Sequence, residues 1–507
     1  MLEESLSRKK MKFILLVCIL LVLAVLYADK INLVNSDIGR HIKNGEFLLK
    51  NHSILHSNFY SYTAPNFYTI NHHWAYGGIV YSIWKIFGFL GISLFNILLY
   101  LLTFLVIFKI AERKSNYKIA CFFSILMIPL MVYRKEVRPE VLSYFFFSIY
   151  YFILLKYKSR EIDYKILLFI LIPLQIFWVN VHIFFIFGIA MVSFFAIDSY
   201  LNEREKLKKY LGLLGALVLT SLVNPYFFNG LLEPFLIFRE YGYLLAENMG
   251  LFFMQKRDFN FLYLYVELIL FVGTISFFLR KNLRKDIIGV LVFLFFGTIA
   301  ISKVRGITLL GFVLIPILSE NFKVFYGKFS KEQKDILSGI TVFLLIVAIV
   351  MSMSSVIGGE KGLGIEKGMQ GSRDFFVENN LQGKIFNNYD IGGHLIFNLF
   401  PEERVFVDNR PEAYPVEFFK EIYIPMQEEN SVWEKYQKEY GINVIYFYWH
   451  DFTPWGQDFL IKRLRDPLWV PVYVDDYAII YLKNNEQNKE LIEKFELSDE
   501  MFSVSTL

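Results

Sequence analysis

Residues 164–200 read YKILLFILIPLQIFWVNVHIFFIFGIAMVSFFAIDSY. Two runs nearly free of charge, 164–181 and 183–200, meet with almost no loop, and each approaches the ~20 residues that a helix needs to cross a bilayer. Trp178, Asn180 and His182 fall at the junction. An amide and an imidazole at the rim of a helix bundle suit sugar hydroxyls or phosphate oxygens. A single interhelical hydrogen bond is the alternative use.

The same pattern repeats along the chain. Further runs occupy 13–28, 86–108, 117–133, 139–155, 210–232, 259–279, 286–302, 306–320 and 336–357, so the sequence predicts about eleven transmembrane helices. Of the 507 residues 55% are hydrophobic and 54 are Phe, far from the composition of a soluble domain. The fold class expected is an α-helical polytopic membrane protein.

Lys and Arg in short loops favour the cytoplasm. Arg8, Lys9, Lys10 and Lys12 precede the first run, and alternate loops carry Arg113/Lys114/Lys118, Lys156/Lys158/Arg160/Lys165, Arg204/Lys206/Lys208/Lys209, Arg280/Lys281/Arg284/Lys285 and Lys323/Lys328/Lys331/Lys334. The N-terminus is thus expected in the cytoplasm and everything past Ile357 outside, in the plasma (bacterial inner) membrane. These loops account for the net charge of +4, so no nucleic-acid partner is implied. Cys18 and Cys121 both lie in apolar runs, which excludes a disulfide framework or a cysteine zinc site.

Four parts follow. The bundle spans 1–357 and includes a first outer loop at 29–85 and a second, aromatic-rich one at 225–258 that reads as a lid. A Gly-rich linker at 358–371 reads as flexible, and 372–507 is a polar domain. In the first loop, Asp37–Leu49 and Trp74–Phe87 have the pattern of helices lying flat on a membrane. In the last part, 404–407, 442–447, 469–474 and 477–482 read as strands, the last two as a hairpin about Asp475-Asp476. Residues 416–426, 432–440, 459–464 and 489–495 read as helices, giving a small extracytoplasmic α/β domain.

Nearly all polar residues suited to chemistry fall at the ends of runs on the side assigned outside: Asp37, His72, His73, Arg134, Arg138, Glu140, Asn180, His182, Asn224, Glu247 and Arg305. A carboxylate at Asp37, partly desolvated, is placed to take a proton from an acceptor hydroxyl or to hold a cation. Capping the helix that follows is the other reading. Arg134, Lys135 and Arg138, with Lys303 and Arg305, run against the usual charge bias, and a phosphate bound by guanidinium forks would account for them. Ion pairs with Glu136 or Glu140, or lipid headgroups, would also occupy them. Adjacent histidines do not share a helix face, so His72-His73 makes a poor metal pair. Glu267, within a run, is an ionisable group in lipid.

Asp37-Ile38-Gly39-Arg40-His41-Ile42-Lys43-Asn44-Gly45, Phe59-Tyr60-Ser61-Tyr62-Thr63 and Asn71-His72-His73-Trp74 together resemble the first outer loop of bacterial GT-C membrane glycosyltransferases. That class includes protein O-mannosyltransferases, lipid A aminoarabinose transferases and the catalytic subunits of oligosaccharyltransferase. Arg138-Pro139-Glu140, Trp178 to His182, Asn224-Pro225 and Arg305 also look like its recurrent positions. The resemblance implies Asp37 as the catalytic or metal-associated carboxylate, and Arg134, Arg138 and Arg305 as the donor-phosphate site. It leaves His72, His73, Glu140, Asn180, His182, Asn224 and Glu247 to bind sugar or acceptor. The doubled acidic motif of metal-dependent members is absent, so a requirement for Mg or Mn stays open. Tyr389-Asp390-Ile391-Gly392-Gly393-His394 and Asp408-Asn409-Arg410 are similar to a relaxed acceptor-binding motif without its tryptophans; a turn with glycines placed for backbone geometry is the simpler reading.

The expected protein is an inverting-type glycosyltransferase that moves a sugar from a polyprenyl phosphate or pyrophosphate to a glycan, lipid or protein acceptor. A lipid-linked saccharide flippase and a non-catalytic glycan-binding membrane protein are the rival readings. A flippase would need polar residues through the membrane depth, where only Glu267 stands.

Overall fold

The computed structural model describes residues 2–502 apart from 35, 238, 259, 281, 282 and 360. Lys281 and the side chains of Arg8 and Lys9, counted in the charge pattern above, lie outside the described residues. The chain forms two compact units, one of residues 1–30, 93–235 and 245–363, the other of 31–92, 236–244 and 364–507.

Among the described residues nine helices are long and apolar enough to cross a membrane, fewer than the eleven runs of the sequence. Proline breaks the other two. Run 117–133 becomes Tyr117–Leu126 and Ile128–Met131, with Pro129 in the first turn of the second. Run 210–232 ends as a helix at Thr220, and the chain turns through Pro225 before Phe228–Leu236. The longest helix, Trp74–Lys114, has 41 residues, about 60 Å at 1.5 Å per residue and twice a bilayer core. Gly88, at φ +62°, breaks it into the aromatic segment read from the sequence and a spanning segment.

In the helical unit, Ile307–Ser319 is buried at every position. A Cβ at Gly311 would lie 2.9 Å from Met131 N, so the missing side chain lets Ile128–Met131 approach this helix. The approach fixes the chain just before Arg134, whose N–H donates to Thr308 Oγ1 at 3.0 Å. The linker is tied here as well: Gly362 N–H donates to Ala28 O at 2.9 Å, and Lys361 pairs with Asp29 at 2.8 Å.

The second unit holds a four-stranded sheet of β1 (Lys384–Asn387), β2 (Ile442–Tyr448), β3 (Trp469–Val474) and β4 (Ala478–Lys483), ordered β1-β2-β4-β3. β1 runs parallel to β2, and the other pairs are antiparallel. The β3–β4 hairpin is the one expected, its turn held by Asp475 Oδ1, which accepts from Tyr477 N and Ala478 N at 2.8 and 2.7 Å. Residues 404–407 are not a strand. Their backbone groups are taken instead by the first loop and one side chain: Val405 N donates to Tyr60 O at 3.1 Å, Tyr62 N to Val405 O at 3.1 Å, and Asn387 bonds Phe406 N and Val407 O.

Helix Ile38–Asn51 forms where the first loop predicts one, but it does not rest on its apolar face as a membrane-surface helix. Ile38 to Ile42, Asn44 and Gly45 are buried against protein. Gly39 faces Gly393 O, 2.8 Å from where its Cβ would stand, and a Cβ on Gly45 would sit 2.0 Å from Gly77 O. These glycines are contact points between backbones.

Candidate functional site

Within the helical unit, segments far apart in sequence meet at one end of the bundle. Arg134 follows Ile128–Met131, Glu140 opens Glu140–Lys158, Arg305 lies in the turn before Ile307–Tyr326, and Glu247 lies in the one-turn helix Ala246–Asn248. Three guanidinium groups converge on Glu247. Arg134 Nη2 and Arg138 Nη1 donate to its Oε2 at 2.8 and 3.0 Å, and Arg305 Nη1 stands 3.8 Å from Oε1. Arg134 and Arg305 also hold Glu140 Oε1 at 3.1 and 3.0 Å. Burial would raise the Glu247 carboxyl, but the Arg134, Arg138 and Arg305 charges outweigh it and hold the group down at about 2. Arg305 Nε is buried without a hydrogen-bond partner among the described residues.

Asn248, which sequence reasoning missed although it adjoins Glu247, fixes the cluster from outside. Its Oδ1 accepts from Arg305 Nη1 at 3.2 Å, and its carbonyl accepts from Lys303 Nζ at 2.7 Å. Lys135 turns away to Asp29 at 2.8 Å. His182 is buried in a relay. Trp178 Nε1 donates to Ser143 Oγ at 2.8 Å, Ser143 Oγ lies 2.9 Å from His182 Nδ1, and Phe184 N–H points to the same Nδ1 at 3.3 Å. Asn180 donates to Ile176 O and Val223 O, and Asn224 to Ser221 O and Phe227 O. Both amides brace turns at helix ends. Glu267 Oε1 is buried in the span Phe261–Phe278 without a hydrogen bond among the described residues.

In the second unit Asp37 makes no capping bond; its carboxylate pairs with Arg40 Nη2 at 3.0 Å, one helical turn on. Arg40 Nε also donates to Asn409 Oδ1 at 3.3 Å. Glu412 belongs to the same group: burial raises its carboxyl, and the charges of Arg40, Arg410 and Asp37 act on it. Only its position two residues past Arg410 could have drawn attention to it. Asp408 and Arg410 form a closed pair, Nε to Oδ1 at 2.8 Å and Nη2 to Oδ2 at 2.6 Å, and Arg410 Nη2 also donates to Asn58 Oδ1 at 2.9 Å. Asp390 stands apart from it. Burial and then the Asp451 charge push its carboxyl up to about 7, while Asp451 accepts from Asn388 Nδ2 and Thr453 N at 2.9 Å each.

Tyr389 stacks on Tyr243, ring centroids 4.3 Å apart. The glycines after it begin a helix, Gly392–Leu399, where a Cβ on Gly392 would lie 2.5 Å from Asp408 Cα. The turn expected from the sequence thus joins a strand, Lys384–Asn387, to a helix. The His72 and His73 rings lie 3.9 Å apart, tilted by 53°, and His41 meets His73 edge-on at 5.3 Å. No group of three or more His, Cys, Asp or Glu in metal-holding geometry occurs among the described residues.

The oligosaccharyltransferase AglB from Archaeoglobus fulgidus, solved with an inhibitory peptide and a dolichol-phosphate, is similar over 95% of this chain and 75% of its own, with a TM-score of 0.60 and 9% identity. ArnT from Cupriavidus metallidurans is similar over 92% of this chain and 97% of its own at 14% identity, with TM-scores of 0.53 bound to undecaprenyl phosphate and 0.52 in the apo state. The fold is that of the GT-C membrane glycosyltransferases. No protein-family model matches the sequence, and no curated protein matches it. Identities this low put the whole weight of the likeness on three-dimensional arrangement. On this GT-C fold, Arg138-Pro139-Glu140, Trp178 to His182 and Arg305 occur in the helical unit, and the Asp37 to Gly45 stretch in the other.

Proposed function

We propose that the chain transfers a sugar from a polyprenyl phosphate or pyrophosphate to an acceptor on the outer face of the plasma membrane. The convergence of Arg134, Arg138 and Arg305 on the single carboxylate of Glu247 carries this reading. A phosphate offers the same guanidinium groups more oxygens and more charge, and the three arginines outnumber the two glutamates. The donor phosphate takes the place of the Glu247 carboxylate, and the arginines offset the charge that grows on it as the sugar leaves. AglB and one of the two ArnT structures hold a lipid phosphate, which supports a donor of that class. Asp37 serves as the base that takes the proton of an acceptor hydroxyl. Arg40, hydrogen-bonded to it at 3.0 Å, orients the carboxylate.

The test uses purified protein in nanodiscs with a radiolabelled polyprenyl-phosphate sugar. Retention of the lipid phosphate by the wild type, weakened in Arg138→Ala, is expected. Equal retention by the wild type and by all three single Arg→Ala variants would overturn the donor site.

A further inference from the structure

At the far end of the same bundle lies a cavity of about 940 Å³, bounded by four helices: Leu2–Tyr27, Tyr117–Leu126, Ile307–Tyr326 and Lys331–Ile357. It belongs to a different membrane face from the arginine cluster, because Tyr326 at its rim is 21 residues along the helical path from Arg305, about 30 Å at 1.5 Å per residue. Its volume falls within the ~300–1,000 Å³ of small-molecule sites.

Its lining is divided. Lys118, Lys334 and Tyr326 sit toward the helix ends, while Leu15, Cys121 and Val342 line it one or more turns deeper. Several other basic residues at this end are matched to carboxylates: Lys12 to Glu112, Lys114 to Glu320 at 2.7 Å, Lys158 to Asp198 at 2.6 Å and Lys206 to Glu203 at 2.7 Å. The cavity lysines are different. Lys118 Nζ reaches only the Ser338 hydroxyl, at 3.3 Å, and Lys334 Nζ lies over the Tyr326 ring, 5.4 Å from its centroid. Neither forms an ion pair among the described residues, and Asp335, next to Lys334, is exposed. Two ammonium groups without a carboxylate thus face one cavity that is apolar below them. Gly339 leaves its wall open, with nothing within 4 Å of where a Cβ would stand.

We propose that this cavity binds an anionic phospholipid of the surrounding leaflet, its phosphate between Lys118 and Lys334 and an acyl chain along Leu15, Cys121 and Val342. A basic notch at helix ends gathers anionic lipid by charge, and the apolar wall holds the chain. The site is independent of the sugar-transfer reading.

Native mass spectrometry of the detergent-purified protein with phosphatidylglycerol or phosphatidylcholine of equal chain length tests it. The wild type is expected to retain one more phosphatidylglycerol than phosphatidylcholine. Each Lys→Gln change should weaken that lipid roughly fivefold, and the double Lys→Arg variant should keep it. Gly339→Leu fills the open wall with a better helix former, so it should expel the lipid without lowering the unfolding temperature. Added sn-glycerol 3-phosphate, which lacks the chains, should not displace it. Equal retention of both lipids by the wild type would overturn the site. So would an unchanged lipid count in both the double Lys→Gln and the Gly339→Leu variants. Displacement by glycerol phosphate would show a site for free phosphate and overturn the lipid assignment.

Discussion

Two arginine–carboxylate clusters, one in each unit, are built in opposite ways. Asp408 and Arg410 stand two residues apart, bond through two atoms each, and are closed off, their side chains 0% and 8% exposed. The groups around Glu247 come from segments 134–140, 247 and 305, carry more positive than negative charge, and leave Glu247 28% and Arg138 23% exposed. A neighbouring pair that satisfies itself is an internal brace. A cluster gathered across the sequence, with surplus charge and an open side, is suited to exchanging one anion for another.

A third pair, Asp37–Arg40, lies between these types, with Asp37 22% exposed, and the largest effect is expected there. Asp37→Asn should slow sugar transfer by ~100-fold to ~10,000-fold, the usual range for a lost general base. Unfolding should change little, because the amide keeps an oxygen for Arg40 Nη2 and no capping bond is lost. Transfer at near the wild-type rate would class Asp37 with the braces. Next, Arg410→Ala should cost about 3–5 kcal/mol in thermal unfolding, since it leaves Asp408 buried and uncompensated. Arg138→Ala should behave otherwise: donor-phosphate binding weaker by about 2 kcal/mol, roughly thirtyfold, with the unfolding midpoint nearly kept. If Arg138→Ala destabilises the fold as much as Arg410→Ala, the distinction between the clusters collapses.

The smallest effect is in pH dependence. With Asp390 raised from 3.8 to about 7, the folded state holds its proton more tightly than the unfolded chain, so this group's contribution is lost as pH rises from about 4 to 7. Burial lowers His394 from 6.5 to about 4, so its contribution grows over nearly the same interval. The two slopes oppose each other. Asp390→Asn should therefore expose a stability that rises with pH between about 4 and 6.5. A flat profile in that variant would mean that His394 gains its proton without cost.

The spans were legible because a bilayer demands long apolar runs, and the runs lost were those interrupted by Pro129 and Pro225. The β3–β4 hairpin was legible because Asp475 acts on its own neighbours. β1 has only four residues, too few for a period to show. Residues 404–407 have strand chemistry, yet their partners, Tyr60 and Tyr62, lie more than 300 residues earlier. The arginine cluster was found one residue at a time, from charges on the side where few are expected. What could not be read was its joining through Glu247, or that Asn180 and Asn224 would spend their donors on backbone carbonyls. Those depend on which helix ends meet.

The Trp178–Ser143–His182 relay has a direction. A backbone N–H and an indole N–H can only donate, so Phe184 fixes His182 Nδ1 as an acceptor and Trp178 turns the Ser143 proton toward that same nitrogen. The imidazole proton is left on Nε2, and a second one at Nδ1 would set N–H against N–H. His182 is thereby committed to presenting one N–H vector in a single tautomer, a state that nitrogen-15 chemical shifts of the labelled side chain would report directly.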